Sequence, residues 1–260
     1  MSKIALVTGS SSGIGEAVCR RLCEAEYRVY GLSRRGTAPE GCVPIKADVS
    51  DENSVRAAVD SVIQAEGRID LLINNAGFGI AGPVEYTPGE EAARLMNVNF
   101  MGQFYTAKAV LPHMRRQNEG RIVFISSVAA PIAIPYQSFY SASKSAVSSL
   151  ALALRNEVKN TGIKVTVFLP GDVRTGFTDA RSVNDYQAKD YANCQASIQS
   201  MEKDERNGMT PEYVAERIFR AATVPNPAPQ YIGGFKYKLF ALLFRLLPSR
   251  LSYWIVGKMY

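Results

Sequence analysis

At 260 residues, with 47% hydrophobic and 21% charged residues, the chain has material for one well-buried domain, and its composition excludes a disordered class. Its net charge of +6 is concentrated at one end: from Phe235 onward come Lys236, Lys238, Arg245, Arg250 and Lys258 with no acid, leaving the body almost neutral. Nucleic-acid binding needs a basic stripe on the folded body, so DNA and RNA are set aside as partners.

In chain order, the first predicted strand is Ile4 to Thr8. Its apolar run is too short for a signal-peptide core, so a cytoplasmic protein is expected. A glycine-rich turn, Thr8-Gly9-Ser10-Ser11-Ser12-Gly13-Ile14-Gly15, then opens an amphipathic helix carrying Ala17, Val18 and Leu22. Further strands are predicted at Arg28 to Ser33, Val43 to Lys46, Leu71 to Asn74, Arg121 to Ser126, Lys164 to Leu169 and Gln230 to Ile232, with helices between them. That alternation predicts βαβ units wound into a parallel sheet, with a ligand crevice beyond the carboxyl ends of the strands. The stretch Asp172 to Met209, rich in Tyr, Asn, Asp and Gln, interrupts the alternation and is read as a substrate lid (172–209) within a single domain of residues 1–234. Residues 235–260 form a separate apolar and basic tail, broken at Pro248, whose apolar runs are too short to span a bilayer. An anionic membrane surface, a subunit interface and a substrate cover each explain such a tail. The four cysteines include no C-x-x-C pair, and Cys19 and Cys23, four apart on a helix, are read as buried packing residues.

The residues at the strand ends carry the chemistry. In the glycine turn, Gly9 suits a tight bend, Gly13 lets backbone approach a pyrophosphate, and Gly15 permits close helix packing. The helix start offers free N–H groups and partial positive charge to phosphates. After the second strand, Ser33-Arg34-Arg35 presents two guanidiniums where a carboxylate would hold ribose hydroxyls, an arrangement suited to a 2′-phosphate. A pair of such contacts at about 1.5–3 kcal/mol each gives a preference on the order of a hundredfold. Tyr140 and Lys144 lie four apart on one helix face, so an ammonium could stabilise a phenolate. At ~4 Å and an effective dielectric of about 20 the attraction is ~4 kcal/mol before desolvation, which would bring the phenol below its ordinary range. Ser127 ends the Arg121 to Ser126 strand thirteen residues before Tyr140, and alternation turns Ser126 to the other side.

With its T-G-x-x-x-G-x-G turn, Asn75-Ala76-Gly77, Ser127, Tyr140-x-x-x-Lys144 and Pro170-Gly171-Asp172-Val173-Arg174-Thr175, the chain resembles the short-chain dehydrogenase/reductase family from about Lys3 to Thr175. The resemblance implies an α/β, Rossmann-like doubly wound sheet and interconversion of an alcohol and a ketone or aldehyde with a nicotinamide cofactor, read here as NADP(H). It implies a catalytic set of Asn99, Ser127, Tyr140 and Lys144, in which Tyr140 passes a proton, Ser127 holds the substrate oxygen and Asn99 orders a water beside the lysine. The implied cofactor contacts are Gly9, Ser11, Ser12, Gly13, Ile14, Ser33, Arg34, Arg35, Asp48, Val49, Asn75, Ala76, Gly77, Tyr140, Lys144, Pro170, Gly171, Val173 and Thr175. No metal is expected, and Asp48 could equally cap the helix starting near Asp51. The apolar run Val128 to Tyr136, with Phe139, Phe177, Tyr186 and Tyr191, suggests a hydrophobic substrate such as a steroid, retinoid or lipid, and ordinary packing explains the same residues. The alternatives are reduction of a 3-oxoacyl group on a carrier protein and, from another class, a non-catalytic NADP sensor. A homodimer or homotetramer, cytoplasmic or peripheral on the inner face of a membrane, is the expected form.

Overall fold

A computed structural model describes residues 2–259. Among these residues nine short strands alternate with helices: β1 (Ile4–Thr8), α1 (Gly13–Glu24), β2 (Arg28–Ser33), β3 (Val43–Lys46), α2 (Glu52–Glu66), β4 (Leu71–Asn74) and β5 (Ile80–Ala81) come first. They are followed by α3 (Gly89–Met96), α4 (Gly102–Gln117), β6 (Gly120–Ile125), α5 (Ser138–Glu157), β7 (Ile163–Leu169) and β8 (Ser182–Val183). The chain continues through α6 (Cys194–Arg206), α7 (Pro211–Thr223), β9 (Gln230–Ile232), α8 (Phe235–Leu246) and α9 (Ser249–Met259).

Seven strands form one parallel sheet in the order β3-β2-β1-β4-β6-β7-β9. The doubly wound architecture expected from the sequence is therefore present, and each predicted strand lies within one residue of its observed place. Strand residues such as Leu6, Leu72, Ile73, Ile122 and Val167 are fully buried, because helices cover both faces. On one face α2, α4 and α5 contribute Val59, Val62, Val110, Met114, Val147 and Ala151. On the other, α1 and α7 contribute Val18, Leu22, Val214 and Ile218. Chain direction across the sheet reverses between β1 and β4, and the crevice opens at the carboxyl ends there.

Two features were not legible from periodicity. The segment after Val173 adds β8 in parallel to β5, and an isolated bridge between Val173 and Met209 closes its base. Between α3 and α4, Asn97–Met101 form a π-helical turn, the kind of widened turn that recurs at functional sites. Cys23 departs from expectation: Cys19 is buried, but Cys23 is half-exposed and its Sγ lies 3.3 Å from that of Cys42.

Candidate active site

Every turn at the carboxyl ends of β1, β2, β4, β6 and β7 opens onto one cleft of about 530 Å³. All the residues expected to contact a cofactor line it, from Gly9 and Ser11 at one end to Val173 and Thr175 at the other. Ser127, Tyr140 and Lys144 line it too, whereas Asn99 does not.

The glycine turn has the shape a dinucleotide requires. Gly9 and Gly13 hold φ of 68° and 58°, a region that L side chains rarely adopt. A Cβ on Gly15 would sit 2.1 Å from the Gly9 carbonyl oxygen, and one on Gly13 would meet Thr175 across the cleft at 3.3 Å. The cradle is thus one that a methyl group would fill, next to the open N-terminus of α1. A clip fixes its base: Thr8 Oγ1 accepts from the Asn75 and Ala76 backbone N–H groups at 2.9 and 3.0 Å, while Asn75 Nδ2 donates to the Thr8 carbonyl at 3.0 Å. The residues present therefore fit a nicotinamide dinucleotide.

At the far end Arg34 and Arg35 are both exposed. Arg35 Nη2 donates to the Ser11 hydroxyl at 3.0 Å, bringing its guanidinium back over the turn. Asp48 does not cap α2, since Asp51 accepts from the Asn53 N–H at 2.9 Å. Instead Asp48 Oδ1 accepts from the Ser50 N–H and hydroxyl at 2.9 and 2.7 Å. Its carboxyl sits below the usual range: burial raises it, and the Ser50 hydrogen bonds and the Arg34 charge outweigh that.

Tyr140 and Lys144 project from the first turns of α5, which packs its buried side on β6 and β7. Their electrostatics differ from the sequence argument. Burial pushes the Tyr140 phenol up to about 12, with the hydrogen-bonded Ser127 side chain pulling the other way. Burial also lowers Lys144 to about 8. The reason is geometric: Lys144 Nζ lies 5.8 Å from the Tyr140 ring centroid and donates to the Ile125 carbonyl at 3.0 Å, so the expected close pairing is replaced by anchoring at the end of β6. Desolvation then controls both groups. Ser126 lines the cleft as well, but its hydroxyl is engaged elsewhere, donating to the Lys144 carbonyl at 2.8 Å.

Asn99 is wholly buried in the π-helical turn. Its Oδ1 accepts from the Phe78 N–H, and its Nδ2 donates to the Phe78 carbonyl, both at 2.9 Å, and to the Ser143 hydroxyl at 3.1 Å. The side chain braces the loop after β4 against α5, behind the wall that holds Lys144.

The apolar residues singled out in the sequence divide between the cleft and its surroundings. Val128, Ala129, Ile134 and Phe177 line the cleft, and the Phe177 ring stands 5.6 Å from that of Tyr140. Tyr136, Tyr186 and Tyr191 do not line it but pack around Cys194, Ile198 and Met201 in a small core of their own, and Phe139 is also off the cleft. Gln137, Asp172, Met201 and Glu205 do line it and were missed. Nothing in their local sequence marks Met201 and Glu205, because they reach the cleft only through the packing of α6, whereas Asp172 lies inside the Pro170 to Thr175 motif and Gln137 between the apolar run and Tyr140.

This fold and cleft define a dinucleotide-dependent oxidoreductase. Comparison with known proteins gives the same class: residues 3–185 match the short chain dehydrogenase family, and the chain belongs to it. It is 42% identical over 254 residues, 96% of this chain and 94% of the other, to a 3-ketodihydrosphingosine reductase of Bacteroides thetaiotaomicron. A short-chain dehydrogenase structure from Streptomyces avermitilis superposes with a TM-score of 0.87 at 28% identity, covering 99% of this chain and 97% of that one. Another family structure, from Burkholderia phymatum in complex with NAD, gives 0.83 at 26% identity, covering 94% and 93%. The chain is thus an NAD(P)-binding oxidoreductase acting on alcohol or keto groups. Among the described residues no helix is long and apolar enough to cross a membrane.

Proposed function

We propose that the protein is an NADP(H)-dependent reductase of an apolar ketone, with a long-chain lipid ketone as the substrate class. The observation that carries this reading is the placement of Tyr140 and Ser127 in a cleft also lined by Phe177, Val128 and Ile134, with the Phe177 ring 5.6 Å from that of Tyr140. A phenol carries its proton at neutral pH even at its ordinary value of about 10, and burial raises Tyr140 further, so the hydroxyl can donate to a carbonyl oxygen. When bound, the reduced nicotinamide supplies the hydride. Tyr140 then gives its proton to the substrate oxygen, and Ser127 steadies the developing charge there. Lys144, fixed on the Ile125 carbonyl, holds the nicotinamide side of the cleft, with Asn99 bracing the helix that carries it.

NADP(H) over NAD(H) rests on Arg34 and Arg35, with no carboxylate among the residues immediately after β2. A lipid substrate is supported by the 42% identity to a 3-ketodihydrosphingosine reductase. Segment 172–209 serves as the lid of the cleft, and a homodimer or homotetramer is the working form. The test is nicotinamide oxidation, followed by absorbance, with NADPH and NADH against 3-ketodihydrosphingosine, short ketones and 3-oxoacyl thioesters. Turnover highest with NADPH and the long-chain ketone supports the reading. Preference for the thioester would move the assignment to carrier-bound 3-oxoacyl reduction, and absence of turnover with all substrates would make the chain a sensor.

A further inference from the structure

The tail carries a second surface. Of the thirteen large apolar residues exposed among the described residues, nine lie between Phe235 and Met259. They are ordered: Phe235, Leu239, Leu242 and Leu246 recur at spacings of four, three and four, so α8 turns one continuous apolar stripe to solvent. At 100° per residue Lys236 falls on one flank of that stripe, and Lys238 and Arg245 on the other. The opposite side of α8 is fixed to the body, since the Tyr237 ring packs on Gly171 and its hydroxyl donates to Asp172 Oδ2 at 2.5 Å. On α9, Trp254 is 61% exposed and lies one turn from Arg250 and one from Lys258. A T-shaped contact of Phe244 and Tyr253, centroids 5.4 Å apart, holds the two helices together.

We infer that α8 and α9 form a docking face for an anionic lipid bilayer. An apolar stripe flanked by cations, with an indole between two more, is the arrangement that lies in the plane of a membrane interface. Helices of 12 and 11 residues are too short to cross it. Charge decides the occupant: no acid follows Phe235, and among the described residues no carboxylate pairs with Lys238, Arg245, Arg250 or Lys258. A second copy would set these cations against their own like charges in an isologous contact, whereas anionic headgroups compensate them. The face is attached beside the site, because Gly171 and Asp172, against which Tyr237 is latched, line the cleft. A ketone dissolved in the bilayer would thus meet the cleft from the side at which the protein docks. That consequence rests on the lipid-ketone reading, whereas the docking itself does not.

The chain contains one tryptophan, so Trp254 reports the event without labelling. The full chain is mixed with vesicles of phosphatidylcholine alone or doped with phosphatidylglycerol, and emission, quenching by brominated lipid and co-sedimentation are followed. The expected result is a blue shift, quenching and sedimentation with the anionic vesicles, weakened by salt and much reduced with phosphatidylcholine. Charge reversal by Lys238→Glu with Arg245→Glu should lower vesicle partitioning by about tenfold or more, and Leu242→Ser should lower it separately. Turnover of a water-soluble ketone without vesicles checks that the variants fold. The inference is overturned if anionic vesicles leave Trp254 emission and sedimentation unchanged. It is equally overturned if emission is already blue-shifted without lipid in an oligomer that Leu242→Ser dissociates, which would make the face a subunit interface. Loss of all turnover with vesicle binding intact would sink the enzymatic reading and leave the docking face standing.

Discussion

On the cofactor side of the cleft the wall is backbone: Gly9 and Gly13 in left-handed conformations, the Thr8 clip on Asn75 and Ala76, and the open start of α1. On the substrate side the wall is side chains, Phe177, Met201 and Glu205, brought in by a segment that leaves the sheet at Asp172 and returns at Met209. A backbone wall tolerates few residue types, because a single Cβ collides with it. A side-chain wall accepts other apolar residues of suitable size at Phe177 and Met201. The first side therefore states a chemistry, and the second tunes it for a substrate.

The largest expected effect falls where the two sides meet. Tyr140→Phe removes the proton donor and keeps the ring that packs at 5.6 Å on Phe177. Turnover should fall about 10³-fold or more, while cofactor affinity, measured by nicotinamide fluorescence titration, stays unchanged. Retained turnover would break the division, since the proton would then come from somewhere other than the junction.

Next is the support of the substrate wall. Arg181, its side chain 1% exposed, is ion-paired with Glu205, whose other oxygen accepts from the Thr178 hydroxyl at 2.6 Å. Arg181 Nε and Nη1 are buried with no hydrogen-bond partner among the described residues, and the guanidinium lies 5.8 Å from the Phe177 ring centroid. Glu205→Gln would leave that guanidinium uncompensated, at a cost of about 3 kcal/mol. Melting should drop by roughly 2–4 °C per kcal/mol, and proteolysis should begin within 172–209. On the opposite wall, replacing Arg34 and Arg35 by serine should lower the ratio of kcat/KM with NADPH to that with NADH by about a hundredfold. Melting should change little, because both residues are exposed.

The same division explains what could be read in advance. Gly9, Ser127, Tyr140 and Lys144 stood out because their spacing is imposed by strand ends and one helical turn, which are local constraints. Met201 and Glu205 reach the cleft only through the packing of α6, a nonlocal fact to which no periodicity points. The tyrosines Tyr186 and Tyr191 attracted attention for the opposite reason: they have the composition of a pocket but are used as the core of the overlying segment. The sign of the Tyr140 shift was also out of reach. It depends on Lys144 turning to the Ile125 carbonyl, and four-residue spacing does not specify where an ammonium points.

The smallest effect, and one that changes sign, tests that last point. Lys144 is held at about 8 against an ordinary 10.5, so below pH 8 folding buries a charge that the unfolded chain keeps solvated. The penalty, roughly 3 kcal/mol, is complete below the folded value and vanishes as pH rises towards 10.5, where the unfolded lysine also loses its proton. Lys144→Met removes the charge together with the hydrogen bond to Ile125, worth about 1 kcal/mol. The variant should therefore melt higher than the parent at pH 7, by the equivalent of about 2 kcal/mol, and slightly lower by pH 10.5. Tyr140, raised by burial, destabilises both chains as pH climbs from 10 to about 12 and cancels from the difference. Melting curves from pH 7 to 10.5 that stay parallel would show that Lys144 is not desolvated, and the close ammonium–phenol pair first read from the sequence would return.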